Sequence, residues 1–284
     1  MPELPEVETV VRDLRAEVAG RRLLDVRLTL DRLVRFPDAR TFAEGLRGAR
    51  ITDVRRRGKY ILCPLEREGV SGTAGDEDEL VVHLGMTGHL EVRQPDAPAR
   101  PHTHLRSALD DGRELRFADA RQFGRLLLGP RRVLESVRAL PRLGVEPLSP
   151  EFTASALDAV LRATRRSVKA ALLDQRGVAG MGNIYVDEAC FLARVRPGRR
   201  CSTLTRRERA ALHEAIVAVL ETAVRNRGSS IDDYRDIWDA KGGHQERLLA
   251  YGRSGQPCLR CGHPALRRGI VGGRGTAWCP ACQR

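Results

Sequence analysis

No apolar run in the sequence approaches the ~18 residues of a membrane span, and the amino end opens on Pro-Glu where a secretory leader needs basic and then apolar residues. These absences leave the cytosol as the expected compartment. No internal repeat divides the chain. Lysine is nearly absent: of 49 basic residues only Lys59, Lys169 and Lys241 are lysines. Arginine supplies charge and bidentate phosphate contacts but keeps its proton in a protein, whereas an amine can be tuned to lose it, so Lys59 and Lys169 are candidates for work arginine cannot do. Seven cysteines, an odd number with no secretory context, set aside a disulfide framework.

What is present is a folded composition. With 42% apolar and 30% charged residues over 284 positions, wholesale disorder and collagen-like structure are excluded, and the length suits about two domains. The formal charge of +12 favours a polyanionic partner, nucleic acid first.

Patterning separates the chain into regions. Val7, Val10, Val11 and Leu14 lie on one helical stripe behind Pro5 and three acids, which predicts a leading helix. Leu24, Val26, Leu28 and Leu30 alternate with polar residues, and short apolar runs at 60–62, 80–84, 90–92, 114–117 and 125–128 follow, so residues 15 to about 135 read as an antiparallel β domain, sandwich or barrel. The Gly-, Asp- and Glu-rich stretch 69–79 reads as an exposed loop. Pro141, Pro147 and Pro150 punctuate a linker, after which spacing turns helical at Leu157, Val160 and Leu161. Thr205 and Glu208 fit a capping box that opens a helix carrying Leu212, Ile216, Val219, Leu220 and Ala223 on one face.

Three clusters carry chemistry. Cys258-x2-Cys261 and Cys279-x2-Cys282 form two knuckles separated by 17 residues, suited to holding one structural Zn2+ through four thiolates. Between them, the run from Gly272 to Thr276 predicts a hairpin turn presenting Arg274 to a phosphate. The run from Asp174 to Tyr185 places three glycines and Asn183 in a turn between two helices, where backbone N–H groups and the positive helix end can meet a phosphate. Last is the amino end. A small second residue permits removal of Met1, leaving Pro2 as a free secondary amine; an α-amino group, which ordinarily titrates near pH ~8, is nucleophilic at neutral pH. Glu3 and Glu6 lie within one turn to move protons.

The run from Met1 to Thr9, Arg57-Gly58-Lys59-Tyr60, His83-Leu84-Gly85-Met86-Thr87-Gly88, Asp119-Ala120-Arg121-Gln122-Phe123-Gly124, Gly182-Asn183-Ile184-Tyr185 and the terminal cysteine module together resemble the bacterial formamidopyrimidine-DNA glycosylases in order and spacing. Leu4 after Glu3 and the Arg121-x-Phe123 pair resemble that branch rather than the endonuclease VIII branch, which favours oxidised pyrimidines.

The resemblance implies an α+β multidomain protein. Its parts are an antiparallel β-sandwich with a leading helix over 1–137, a helix-two-turn-helix DNA-binding domain over 148–250 and a zinc-ribbon-like hairpin over 251–284. It implies a monomeric, cytoplasmic and nucleoid-associated repair enzyme, with damaged duplex DNA bound in a cleft between domains. The activity implied is that of a bifunctional glycosylase and AP lyase removing 8-oxoguanine and formamidopyrimidines. Pro2 matches the nucleophile, Glu3 the acid/base residue, Glu6 its supporting carboxylate, Lys59 the lysine of the elimination steps and Arg274 the arginine of δ-elimination. Met86, Arg121 and Phe123 match a trio filling the void left by the flipped base; His102, Lys169 and Asn183 match DNA contacts. Gln122 stands where a second arginine often follows Arg121, Thr164 stands at a frequent lysine with Arg165 or Arg166 as substitutes, and 229–245, with its Asp236-Ile237-Trp238-Asp239, occupies the place of the loop that covers the flipped purine. That departure keeps open a preference for oxidised pyrimidines or hydantoins, and a zinc-containing DNA binder without a working amine is the reading from another class.

Overall fold

In a computed structural model, residues 1–67, 77–137, 141–231 and 233–284 are described. They form two compact units, one of Met1–Pro2, Glu6–Arg142 and Ser229–Gly242, the other of Glu3–Pro5, Leu143–Gly228 and Gly243–Arg284.

The first unit is built on two sheets. Helix α1 (Leu4–Val18) turns its apolar stripe inward, with Val7, Val10, Val11, Leu14 and Val18 all buried, each contributing about 1.5–3 kcal/mol by leaving water. Strands β1 (Leu23–Leu28), β2 (Val34–Phe36), β3 (Arg50–Ile51), β4 (Arg55–Arg57), β5 (Tyr60–Glu66), β6 (Asp78–His83), β7 (His89–Arg93), β8 (Thr103–Leu109), β9 (Glu114–Ala118) and β10 (Arg125–Pro130) follow, with helix α2 (Ala39–Leu46) between β2 and β3 and α3 (Arg131–Ser136) after β10. One sheet runs β1-β8-β9-β7. The other runs β2-β10-β6-β5-β3, with β4 also on β5. Six of the seven residues of β5 are buried, as expected of a strand covered on both faces.

Sequence patterning missed parts of this unit. Helix α2 interrupts the β region; its N-cap Asp38 accepts from Thr41 N–H at 3.0 Å, and it buries only Phe42 and Leu46, too few apolar positions to show a period. Strand β8 reads Thr-His-Leu-Arg-Ser-Ala-Leu, too polar to stand out. Strand β2 pairs parallel to β10, so the domain is not wholly antiparallel. Of the loop expected over 69–79, residues 69–76 lie outside the described residues, while Asp78 and Glu79 belong to β6 and pair with Pro130 and Gly129.

The second unit packs α4 (Ala154–Arg162), α5 (Val168–Leu173), α6 (Asn183–Leu192) and α7 (Arg206–Arg225) around Leu157, Leu161, Leu172, Tyr185, Leu212, Ile216 and Leu220. The capping box at α7 forms as read: Thr205 Oγ1 accepts from Glu208 N–H and the Glu208 carboxylate accepts from Thr205 N–H at 2.7 Å. Strands β11 (Arg267–Val271) and β12 (Arg274–Trp278) make the terminal hairpin. Its turn is Gly272-Gly273, both with positive φ (60° and 74°), the backbone a two-residue hairpin turn requires. Arg274 is thus the first residue of β12 rather than the centre of the turn. Among the described residues no helix is long and apolar enough to cross a membrane.

Candidate active site and nucleic-acid interface

The amino end is held by the turn between α5 and α6. Leu4 is buried in the helical core and its N–H donates to Gly180 O at 3.0 Å. One residue earlier, Glu3, only 3% exposed, sets its carboxylate on the first turn of α6: Ile184 N–H donates to Oε1 at 2.9 Å and Tyr185 N–H to Oε2 at 3.4 Å. The helix N-terminus that the sequence offered to a phosphate is therefore occupied by an internal anion, a favourable place for negative charge. Pro2, also buried, directly precedes this fixed carboxylate in the chain.

The fit depends on Gly182. A Cβ there would fall 2.2 Å from Glu3 Cδ, so a side chain and the docked carboxylate cannot coexist. Gly182→Ala is expected to displace Glu3 and lower base excision by about 10²-fold, the lower range for losing a positioned acid/base group, while binding to an uncleavable duplex changes little. Parallel turnover and equilibrium-binding measurements check this; equal losses in both would count against it.

In the first unit, Lys59 lies in the two-residue turn joining β4 to β5, where Gly58 adopts φ 57°. Its side chain is 7% exposed, unlike the freely solvated lysine of an ordinary surface. Nearby His83, its ring tilted 50° to that of Tyr60 with centres 4.8 Å apart, is pushed down to about 4 by burial, with Arg125 and Lys59 adding to the effect, so this imidazole is neutral at physiological pH. Glu6, which the resemblance makes a supporting carboxylate, accepts through Oε1 from Ser229 N–H at 2.7 Å and through its carbonyl from Tyr234 Oη at 3.4 Å. It fastens the segment 229–242 to the end of α1. That segment is rooted by Tyr234 and Ile237 in the sandwich core and tied by Asp239 to Arg100 at 2.5 Å, leaving Trp238 48% exposed.

Met86, Arg121 and Phe123 come together on two loops. Met86 sits in the turn between β6 and β7, the others between β9 and β10. The loops abut so closely that a Cβ on Gly85, itself at φ 65°, would lie 2.6 Å from the Phe123 carbonyl carbon. The Arg121 guanidinium stands 5.1 Å from the centre of the exposed Phe123 ring, a cation–π distance. Asp119, absent from the residues singled out by sequence, organises this corner. Fully buried, it accepts from Gly124 N–H at 2.6 Å and from Thr87 Oγ1 at 2.5 Å, and Thr87 Oγ1 in turn accepts from Arg121 N–H at 3.1 Å. Its position in the Asp119–Gly124 run was the available signal. His102 is exposed on the same side, its carbonyl accepting from Asp119 N–H at 3.0 Å.

Two expected DNA contacts are placed otherwise. Lys169 is 0% exposed and its Nζ bonds Asp187 Oδ1 at 2.6 Å and Gly275 O at 3.0 Å, so its ammonium is engaged inside the helical unit rather than at a phosphate. Burial pushes Asp187 up to about 6, against the lowering effect of Lys169. Asn183 donates from Nδ2 to the same carbonyl at 3.2 Å. Of the proposed lysine substitutes, Arg166 pairs with Asp174 at 3.1 Å.

Cys258, Cys261, Cys279 and Cys282 bring their sulfurs within 4.8 Å of one another, with Cys258–Cys282 at 3.9 Å and Cys261–Cys279 at 3.7 Å. Tetrahedral zinc with bonds of ~2.3 Å separates its sulfurs by about 3.8 Å, so the donor set fits one Zn2+. Gln283, buried and unremarked in the sequence, accepts from Cys279 N–H at 2.8 Å and donates to Val195 O at 3.0 Å, pinning the second knuckle. The other thiols, Cys63, Cys190 and Cys201, are buried and unbridged, and burial raises all three above the ordinary thiol range.

An amino-terminal carboxylate on a helix end, a β corner exposing Phe123 beside Arg121 and a four-cysteine hairpin suited to Zn2+ point to a zinc-containing DNA-processing class. Family models for the formamidopyrimidine-DNA glycosylase N-terminal domain, its H2TH domain and the zinc finger found in FPG and IleRS match residues 1–126, 143–235 and 255–284. The chain is 47% identical over 285 residues to the formamidopyrimidine-DNA glycosylase of Symbiobacterium thermophilum, covering 100% of this chain and 89% of that protein. It is 43% identical to that of Pelotomaculum thermopropionicum, covering 100% and 99%. Among solved structures it is similar to the MutM (Fpg) protein of Thermus thermophilus, with a TM-score of 0.85 at 43% identity over 99% of this chain and 98% of that one. A Lactococcus lactis Fpg bound to abasic-site DNA gives a TM-score of 0.87 at 33% identity over 99% of both chains. The chain belongs to the formamidopyrimidine-DNA glycosylase family.

Proposed function

We propose that this protein is a bifunctional DNA glycosylase and AP lyase of base excision repair, excising 8-oxoguanine and formamidopyrimidines from duplex DNA. The observation that carries the reading is the Glu3 carboxylate, held by two backbone N–H groups of α6 and adjoining Pro2 in the chain. With Met1 removed, the Pro2 nitrogen attacks C1′ of the damaged nucleotide. The bond from C1′ to the base breaks, and the Glu3 carboxylate takes the proton of the attacking amine and passes it to the departing base. The nitrogen lone pair then expels O4′ from C1′, O4′ taking a proton from solvent, and the iminium of the opened sugar acidifies C2′. Loss of a C2′ proton expels the 3′ phosphate (β-elimination), loss of a C4′ proton expels the 5′ phosphate (δ-elimination), and water then hydrolyses the iminium to restore the amine. Lys59 serves proton transfer in the eliminations; Arg274, always charged, stabilises the departing phosphate.

Duplex DNA stacks the target base inside, so it must leave the helix at a cost of a few kcal/mol. Met86 and Phe123 fill the vacancy and Arg121 meets the unpaired partner base; His102 contacts the backbone. Cys258, Cys261, Cys279 and Cys282 would hold the zinc, which when bound would supply rigidity to the hairpin. Segments 1–137, 148–250 and 251–284 form the catalytic, helical DNA-binding and zinc domains of a monomer acting on the nucleoid in the cytoplasm.

Borohydride reduction on duplexes carrying 8-oxoguanine, an abasic site or thymine glycol tests this. The first two are expected to give a covalent protein–DNA adduct and strand cleavage with both 3′ and 5′ phosphate ends. No adduct on any of them would overturn the enzyme reading. Equal turnover of thymine glycol and 8-oxoguanine would overturn the purine preference, which rests on the Arg121 and Phe123 pair and is the point that the unusual 229–245 segment puts under test.

A further inference from the structure

Arg274 opens β12, and the placement of its side chain depends on what holds that strand. One edge of β12 pairs with β11, Thr276 opposite Gly269 and Arg274 opposite Val271. Because backbone groups alternate in direction along a strand, the opposite edge presents the Gly275 carbonyl and the Ala277 N–H. A two-stranded hairpin normally leaves such an edge to water.

Here side chains from the helices take the place of a third strand. Gly275 O accepts from Lys169 Nζ at 3.0 Å and from Asn183 Nδ2 at 3.2 Å, and Ala277 N–H donates to Asp187 Oδ2 at 3.1 Å. Lys169, on α5, and Asp187, on α6, are joined to each other at 2.6 Å with 0% and 1% of their side chains exposed. The turn is seated on the same helix, since a Cβ on Gly272 would come 3.2 Å from Ala170 Cβ. The pair therefore grips β12 at Gly275 and Ala277, on both sides of Thr276 and starting one residue beyond Arg274.

A stabilising role alone does not account for charges at this position. Desolvation cancels most of the attraction of a buried ion pair, and apolar residues of similar volume commonly hold two helices together as well. What an apolar pair lacks is a donor for the Gly275 carbonyl and an acceptor for the Ala277 N–H.

We infer that Lys169 and Asp187 are positioning residues for δ-elimination, fixing the register of β12 so that Arg274 meets the departing phosphate. This inference rests on the assignment of Arg274 under the proposed function.

The test is the product ratio on an abasic-site duplex, measured with borohydride trapping, zinc content and thermal melting. In the Lys169→Met/Asp187→Leu pair, which keeps the packing volume without burying a lone charge, one zinc per chain and near-native trapping are expected. The ratio of δ- to β-elimination product is expected to fall by about 10–10²-fold, the effect of misplacing a catalytic group by about an ångström. Asp187→Asn, which leaves the ammonium without its counter-charge, is expected to shift the ratio in the same direction with an added loss of melting temperature. A wild-type ratio in the zinc-loaded pair variant would overturn the inference. So would a parallel fall of trapping and both products, which marks a purely structural pair. If the wild-type protein itself traps nothing, the proposed function fails first and the inference falls with it.

Discussion

Pro2→Gln protein is expected to give no borohydride-stable adduct with an abasic-site duplex, a loss of at least about 10³-fold, equivalent to about 4 kcal/mol of barrier. A bulky second residue leaves Met1 in place, so the only amine at that end moves out by one residue, about 3.8 Å along the chain. The rest of the amino end does not follow. Leu4 stays bonded to Gly180 and Glu3 to the first turn of α6, so the displaced amine is held away from the position Pro2 occupied. Secondary amine character is lost as well, and with it direct formation of a charged iminium, which needs no further proton. Lys59, 7% exposed in the same unit, is the competing nucleophile. Intact-mass measurement of the trapped species, with the adduct mapped by proteolysis, decides the matter. An adduct that persists at wild-type yield in Pro2→Gln would place the nucleophile elsewhere.

Removing the metal should have the second large effect. The hairpin's own apolar cluster is Phe191, Ala250, Cys258, Leu266 and Cys279, in which two of the five are zinc ligands, and Ile270 stands 81% exposed. A structural zinc site of this type is worth about 10–16 kcal/mol of apparent binding free energy, which here is folding energy of the module. Without it, the three side-chain bonds to the outer edge of β12 are too few to hold a two-stranded hairpin. Chelation, or Cys279→Ser, is expected to abolish the ordered hairpin and to reduce δ-elimination by about 10²–10³-fold, the loss that follows removal of a preorganised charge. The far-ultraviolet signal of α4 to α7 should remain. Restoring zinc to the chelated protein should restore cleavage; metal-free protein with full δ-elimination would show that the hairpin is held by something else.

Where the chemistry depends on residues close in sequence, it was legible there. The two cysteine knuckles converge as their spacing required, and the Thr205–Glu208 box caps α7 as read. The stripe of α1 faces the core because period and burial coincide in a long helix. What escaped was non-local. Lys169 reads as an available cation until α6 brings Asp187 alongside it, and the α6 N-terminus reads as a phosphate cradle until the amino end folds back to place Glu3 there. Asp119 shows its importance only when the turn carrying Met86 and the loop carrying Phe123 are seen to meet around it. Helix α2 and strand β8 were hidden for a local reason, having too few apolar positions to generate a period.

The anchorage of Glu3 asks for main chain rather than side chain at the helix end, since its partners are amides, which every residue but proline supplies. The demand on residue type falls instead on Gly182, where even a methyl group would take the space that the docked carboxylate fills.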